Sequence, residues 1–130
     1  ETEDKAIRNT DPNNTDGYNE NYTNKVDFFI DDLSFIKSER KIEVSVCTKN
    51  KDYAWYNHLL FETYYKTFTQ NIYLDLNEGK CQQFRIWYRL LNLDLNEDYS
   101  ITVTIDPEKW VIEANEENND YTEDINTAIN

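Results

Sequence analysis

From Tyr99 to Asp106 apolar and polar side chains alternate without a break, with Tyr99, Ile101, Val103 and Ile105 on one side and Ser100, Thr102 and Thr104 on the other. A period of two is the repeat of a strand with one dry face and one wet face, and a helix cannot use it. The pattern returns in Lys41 to Thr48, where Ile42, Val44 and Val46 face one way and Glu43, Ser45 and Cys47 the other. Five further runs of β-formers fit the same reading. They are Val26 to Ile36, kinked at Asp31-Asp32; His58 to Lys66; Asn71 to Leu76; Cys81 to Arg89; and Asp120 to Ile125. In these runs Ile72, Leu74, Leu76, Phe84, Ile86 and Tyr88 point inward. Leu90 to Leu95 fits no such repeat and reads either as a turn of helix or as a bulged edge.

About seven short strands separated by polar turns predict an all-β fold, an immunoglobulin-like antiparallel β-sandwich with a polar N-terminal extension. Three parts follow from the composition along the chain: an extension at 1–25, the sandwich at 26–126 and a C-terminal tail at 127–130. The extension offers only Ala6, Ile7, Tyr18 and Tyr22 for burial, so it reads as a tail, a linker or a strand donated to another molecule. With Gly 2 and Pro 2 in 130 residues, the turns must rest on Asn and Asp, which tolerate the left-handed backbone.

Two cysteines, Cys47 and Cys81, are open to two readings, a bridge or two thiols. In an immunoglobulin-like topology the strands that carry them run antiparallel side by side. If Cys47 faces Cys81, Val44 faces Phe84 and Ile42 faces Ile86, so the parity that pairs the cysteines also pairs apolar residues on the core face. A bridge there belongs to an oxidising compartment. No stretch approaches the length of a membrane span, and Glu1 reads as the start of a mature or excised chain. The expected location is therefore extracellular or at the cell surface, where the sequons at Asn13 and Asn21 become glycosylation candidates.

A formal charge of -13 excludes a nucleic-acid partner and disfavours anionic membrane surfaces, because both need clustered Lys and Arg. Cations, neutral glycans, basic proteins and copies of the chain itself remain. His58 is the only histidine and has no Ser or Cys partner evident in the sequence, so it reads as structural. Neither a phosphate loop nor an informative carboxylate pair is present, and no enzyme is expected.

The stretch Asp106-Pro107-Glu108-Lys109-Trp110-Val111-Ile112-Glu113-Ala114-Asn115-Glu116-Glu117-Asn118-Asn119 joins the last two strands. Asp106, Val111, Glu113, Asn115, Glu116, Asn118 and Asn119 resemble the closing motif of the CARDB family, the cell-adhesion-related, immunoglobulin-like domain of bacterial and archaeal surface proteins. The likeness extends over about residues 26 to 125, including Val26 to Phe35, Asn50, Leu76-Asn77-Glu78-Gly79 and Tyr99 to Asp106. It implies a non-catalytic module of secreted or surface proteins, concerned with adhesion or spacing. Physically, Asn and Glu at a strand end hydrogen-bond loop backbone that no ladder can reach. The other use of such oxygens is a Ca²⁺ site, with Asp106, Glu113, Glu116 and Asn118 as ligands.

Two functions follow. The first is an extracellular adhesion or assembly module, sharpened to a filament or surface-layer subunit whose N-terminal segment contacts a neighbour. The second is a carbohydrate-binding module. Tyr53, Trp55 and Tyr56 are expected to cluster in a loop, and Tyr73 and Trp87 fall on outer faces by parity, so Trp55, Tyr56, Tyr73 and Trp87 are the candidates for stacking on sugars.

Overall fold

The computed structural model describes residues 25–113 and 119–128. Seven strands appear among them: β1 (Asp27–Ile36), β2 (Lys41–Lys49), β3 (Tyr53–Glu62), β4 (Thr67–Leu76), β5 (Cys81–Trp87), β6 (Asp98–Ile105) and β7 (Asp120–Asn126). They form two antiparallel sheets, in the orders β1-β2-β5 and β4-β3-β6-β7. The alternating residues that define the pattern close the core between the sheets. Phe28, Ile42, Val44 and Val46 from the first sheet meet Leu59, Phe61, Leu74, Ile101, Val103 and Ile105 from the second, all without exposure. Burying one such aliphatic or aromatic side chain is worth roughly 1.5–3 kcal/mol, so these positions dominate the fold.

The register of the first sheet follows the parity of its sequence. Cys47 lies opposite Cys81, Val44 opposite Phe84 and Ile42 opposite Ile86. The two sulfurs are bonded at 1.98 Å. The outer face of this sheet is marked by Gln83 donating to Ser45 at 3.1 Å and by Arg85 paired with Glu43 at 2.8 Å. The kink at Asp31-Asp32 is a β-bulge, where the register on β2 slips between Ile30 and Asp32.

Three expectations need correction. β3 begins at Tyr53, not His58, because it pairs with β4 along its whole length from Tyr53↔Leu76 to Glu62↔Thr67. It also ends earlier, since Thr63 to Lys66 form a turn in which the Thr63 hydroxyl accepts the N–H groups of Tyr65 and Lys66. For the same reason β4 starts at Thr67 and not at Asn71. β5 stops at Trp87, and Tyr88–Leu91 make a 3-10 turn closed by Asn92 at a φ of 56°. That turn decides between the two readings of Leu90 to Leu95: it buries Leu91, and Leu93 just beyond, against one end of the core.

The asparagine-based turns are present. Asn50, Asn92 and Asn96 all hold positive φ, the conformation that glycine elsewhere supplies. Gly79, at φ 81°, ends the β4–β5 connection, and its N–H reaches the Thr48 carbonyl at 2.9 Å.

Edge strands are guarded. β4 and β5 end different sheets, and the side chain of Gln82 on β5 bonds the edge of β4 twice, accepting the Asp75 N–H at 3.1 Å and donating to the Tyr73 carbonyl at 3.3 Å. On the opposite side β1 packs near β7. There Glu123, with smaller effects from burial, Asp32 and Asp31, raises the pKa of Tyr121. Carboxylates along that seam repel any added strand.

Candidate functional site

Tyr56 and Tyr73 stand on the outer face of the four-stranded sheet, and Trp55, on the other face of β3 by strand alternation, touches Tyr56 at the strand's free edge. Tyr56 on β3 lies opposite Tyr73 on β4, and their ring centroids are 4.9 Å apart in an edge-to-face arrangement. Trp55 lies 5.8 Å from Tyr56, again edge to face. β6 pairs with β3 only from Leu59 to Glu62, so β3 has no strand beside Trp55 on that side. All three rings face water: Trp55 is 64% exposed, Tyr56 61% and Tyr73 45%. The expectation of a loop at Trp55 and Tyr56 is thus corrected to a strand, in which the two side chains leave on opposite faces.

His58, two residues beyond Tyr56, shares its face and extends the group. Its ring meets that of Trp110 at 4.6 Å, and its Nδ1 lies 3.0 Å from Glu108 Oε1. Trp110 is 59% exposed and was not among the sequence candidates. Its place depends on the turn after β6, which folds the loop back over β3: Asp106 N–H donates to the His58 carbonyl, and Asp106 and Lys109 take positive φ. Tyr64 and Tyr65, at the tip of the β3–β4 hairpin, are a second exposed aromatic pair that strand parity could not have placed. Tyr53, by contrast, turns inward onto Phe28 at 4.8 Å.

Trp87 stands apart from this group, on β5 of the other sheet. Lys41 Nζ lies 4.4 Å from its ring centroid and Arg89 Cζ 5.4 Å, so its partners are cations.

The loop after β6 is built on two buried carboxylates. Asp106 accepts the N–H groups of Trp110 at 3.0 Å and Val111 at 3.2 Å. Glu113 accepts the Phe28 N–H at 2.8 Å and the Asn119 amide at 2.7 Å. These bonds satisfy backbone that no strand reaches, the ordinary use of such residues. Both charges are also felt by Tyr53, whose pKa is raised by burial first and by Asp106 and Glu113 in addition, against a hydrogen bond with Asn57 that lowers it. Among the described residues Asp106 and Glu113 join no group of three or more metal-ligating side chains. The two other candidate ligands, Glu116 and Asn118, lie outside the described residues, as do the sequons at Asn13 and Asn21. Asp31, Cys47 and Cys81 do come together, but the two sulfurs are bonded to each other and are not thiolate ligands.

No family model matches the sequence, and no curated protein matches it. Among solved structures, the chain is similar to the CARDB domain of the PF1109 protein from Pyrococcus furiosus in complex with di-metal ions. The TM-score is 0.56 at 19% identity, over 82% of this chain and 96% of that one. The solution structure of the same domain aligns over 81% of this chain and 93% of that one, with 21% identity and a TM-score of 0.47. The fold is that of a CARDB-like domain.

Proposed function

We propose that the chain is a non-catalytic adhesion module that works outside the cell and holds neutral polysaccharide against Trp55, Tyr56 and Tyr73. The observation that carries this reading is the contact between these three exposed rings, with Tyr56 and Tyr73 on the outer sheet face and Trp55 at the free edge of β3. Leaving them in water is unfavourable, and an exposed ring can stack on the apolar face of a sugar. Hydrogen-bonding groups stand beside the rings: Asn71 and Asp75 flank Tyr73 on the same face of β4, and Glu108 sits beside His58. The charge of -13 favours a neutral over an acidic glycan. The Cys47–Cys81 bridge fits an oxidising compartment, and the CARDB-like fold fits an adhesion role. Calcium is not needed for this reading. Assembly by adding residues 1–25 to a neighbour's sheet has less support at the Tyr73–Asp75 end of the β4 edge, where Gln82 already makes the hydrogen bonds.

The test is titration of the full chain with a panel of neutral polysaccharides, followed by calorimetry. Trp55→Ala, or Tyr56→Ala with Tyr73→Ala, should weaken binding by roughly tenfold, as removal of a central aromatic contact does. Trp87→Ala should leave it unchanged. Binding by none of the panel, or binding indifferent to Trp55 and Tyr56, would refute the reading.

A further inference from the structure

At the end of β1 far from Lys25, two 3-10 turns meet. Arg40 closes the first at a left-handed φ of 58°, and its carbonyl accepts the Tyr88 N–H of the second at 2.8 Å. Between the turns opens a cleft of about 330 Å³ with Glu39, Arg40, Trp87, Arg89, Leu93 and Leu95 in its walls. The chain has 26 acidic residues for 13 Lys and Arg, so a cation without a counter-ion reflects placement and not supply. Three arginines fall within the described residues. Arg85 is paired with Glu43, whereas Arg40 and Arg89 have no carboxylate within ion-pair distance among those residues. Lys41, 4.4 Å from the Trp87 ring centroid, neutralises Glu39 at 3.3 Å, so the net charge at the cleft is that of Arg40 and Arg89.

Arginine offers a planar fork that grips a carboxylate through two hydrogen bonds. Beside that fork, Trp87 and Leu95 offer apolar surface. The combination suits an extended acidic peptide with an apolar side chain next to a carboxylate. The chain carries a peptide of this kind. Residues 1–24 contain Glu1, Glu3, Asp4, Asp11, Asp16 and Glu20 against Lys5 and Arg8, with Ile7 close to the first three.

This peptide joins the sandwich next to the Asp27↔Lys49 pair, whereas the cleft lies beyond Ile36↔Lys41 at the other end of the sheet. The separation is the length of β1, about 30 Å at the usual strand rise. We propose that the cleft of one copy receives residues 1–24 of a second copy. A peptide that leaves at one end and a cleft that opens at the other make a head-to-tail contact, which repeats into an open polymer. The contact is electrostatic and uses a site independent of the aromatic face.

Size-exclusion chromatography with light scattering on the full chain tests this, at rising concentration in about 0.1 M and about 1 M salt, where the Debye length falls from about 10 to about 3 Å. Mass should grow with concentration in low salt and return to the monomer in high salt or with excess synthetic 1–24 peptide. Arg40→Asn with Arg89→Gln removes both charges, and Asn tolerates the left-handed backbone at position 40. This variant, with circular dichroism unchanged, should remain monomeric and bind the peptide at least tenfold more weakly. A parent chain that is monomeric throughout overturns the proposal, even if it binds the peptide, because the segment then does not bridge copies. Growth that survives high salt or the double substitution overturns it as well.

Discussion

Glu113 accepts the backbone N–H of Phe28 at 2.8 Å across 85 residues of sequence, tying the loop after β6 to the start of β1. Its other oxygen holds the Asn119 amide, so one buried carboxylate fixes the loop at both ends. Glu113→Ala leaves a buried N–H and a buried amide without an acceptor, and we expect a loss of about 2–4 kcal/mol in urea unfolding. Glu113→Gln keeps one acceptor but sets an amide NH₂ against a donor, and should fall between the parent and Glu113→Ala.

Adding Ca²⁺ should shift the melting temperature of the full chain by less than about 1 °C, because the Asp106 and Glu113 oxygens already hold backbone and amide donors. A concentration-dependent rise that disappears in Asp106→Asn would restore the loop as a calcium site.

Tyr88 is buried against the core, and its hydroxyl has no hydrogen-bond partner among the described residues. A buried polar group left unsatisfied carries its full desolvation penalty. Tyr88→Phe should therefore be neutral or stabilising by up to about 1 kcal/mol in denaturant unfolding. A clear loss would show that the hydroxyl is satisfied in solution.

The bridge closes a loop with a sequence separation of 34. By the chain-entropy relation, Cys47→Ser with Cys81→Ser should lose about 3–4 kcal/mol, read as a lower midpoint in urea. Reduction of the parent chain should reproduce most of that loss.

Burial, with the charges of Asp106 and Glu113, raises the pKa of Tyr53 above 10.0 in the folded chain. The sign follows from linkage: a raised folded pKa gives stability that is intact below the unfolded value and lost as pH climbs through the folded one. Melting temperature should fall as pH rises beyond about 10. Tyr88 shifts in the same direction through burial. Tyr53→Phe should shallow that alkaline decline, and an unchanged slope would remove Tyr53 as a cause.

How far the sequence could be read depended on whether the two faces of a strand differ. β2 and β6 put aliphatic residues on one face and polar ones on the other, so once an immunoglobulin-like topology set β2 beside β5, parity agreed with the observed Cys47↔Cys81 pairing. β3 hides its start because Trp55 and Tyr56 are consecutive, exposed and aromatic, which erases the alternation. Only the matching length of β4 shows that they belong to a strand. Trp110 reaches His58 through a turn with two positive-φ residues, a contact that no local repeat encodes. The same holds for the cleft, whose arginines lie 49 positions apart in sequence at Arg40 and Arg89 and meet only because the Tyr88 N–H is bonded to the Arg40 carbonyl.

The amide of Gln82 gives β4, at Tyr73 and Asp75, two of the hydrogen bonds that another strand would otherwise supply. At that end of the edge, the boundary between a solitary sandwich and one that recruits a neighbour is therefore a single side chain thick. A lineage could cross it in one step, in either direction, without disturbing the core beneath.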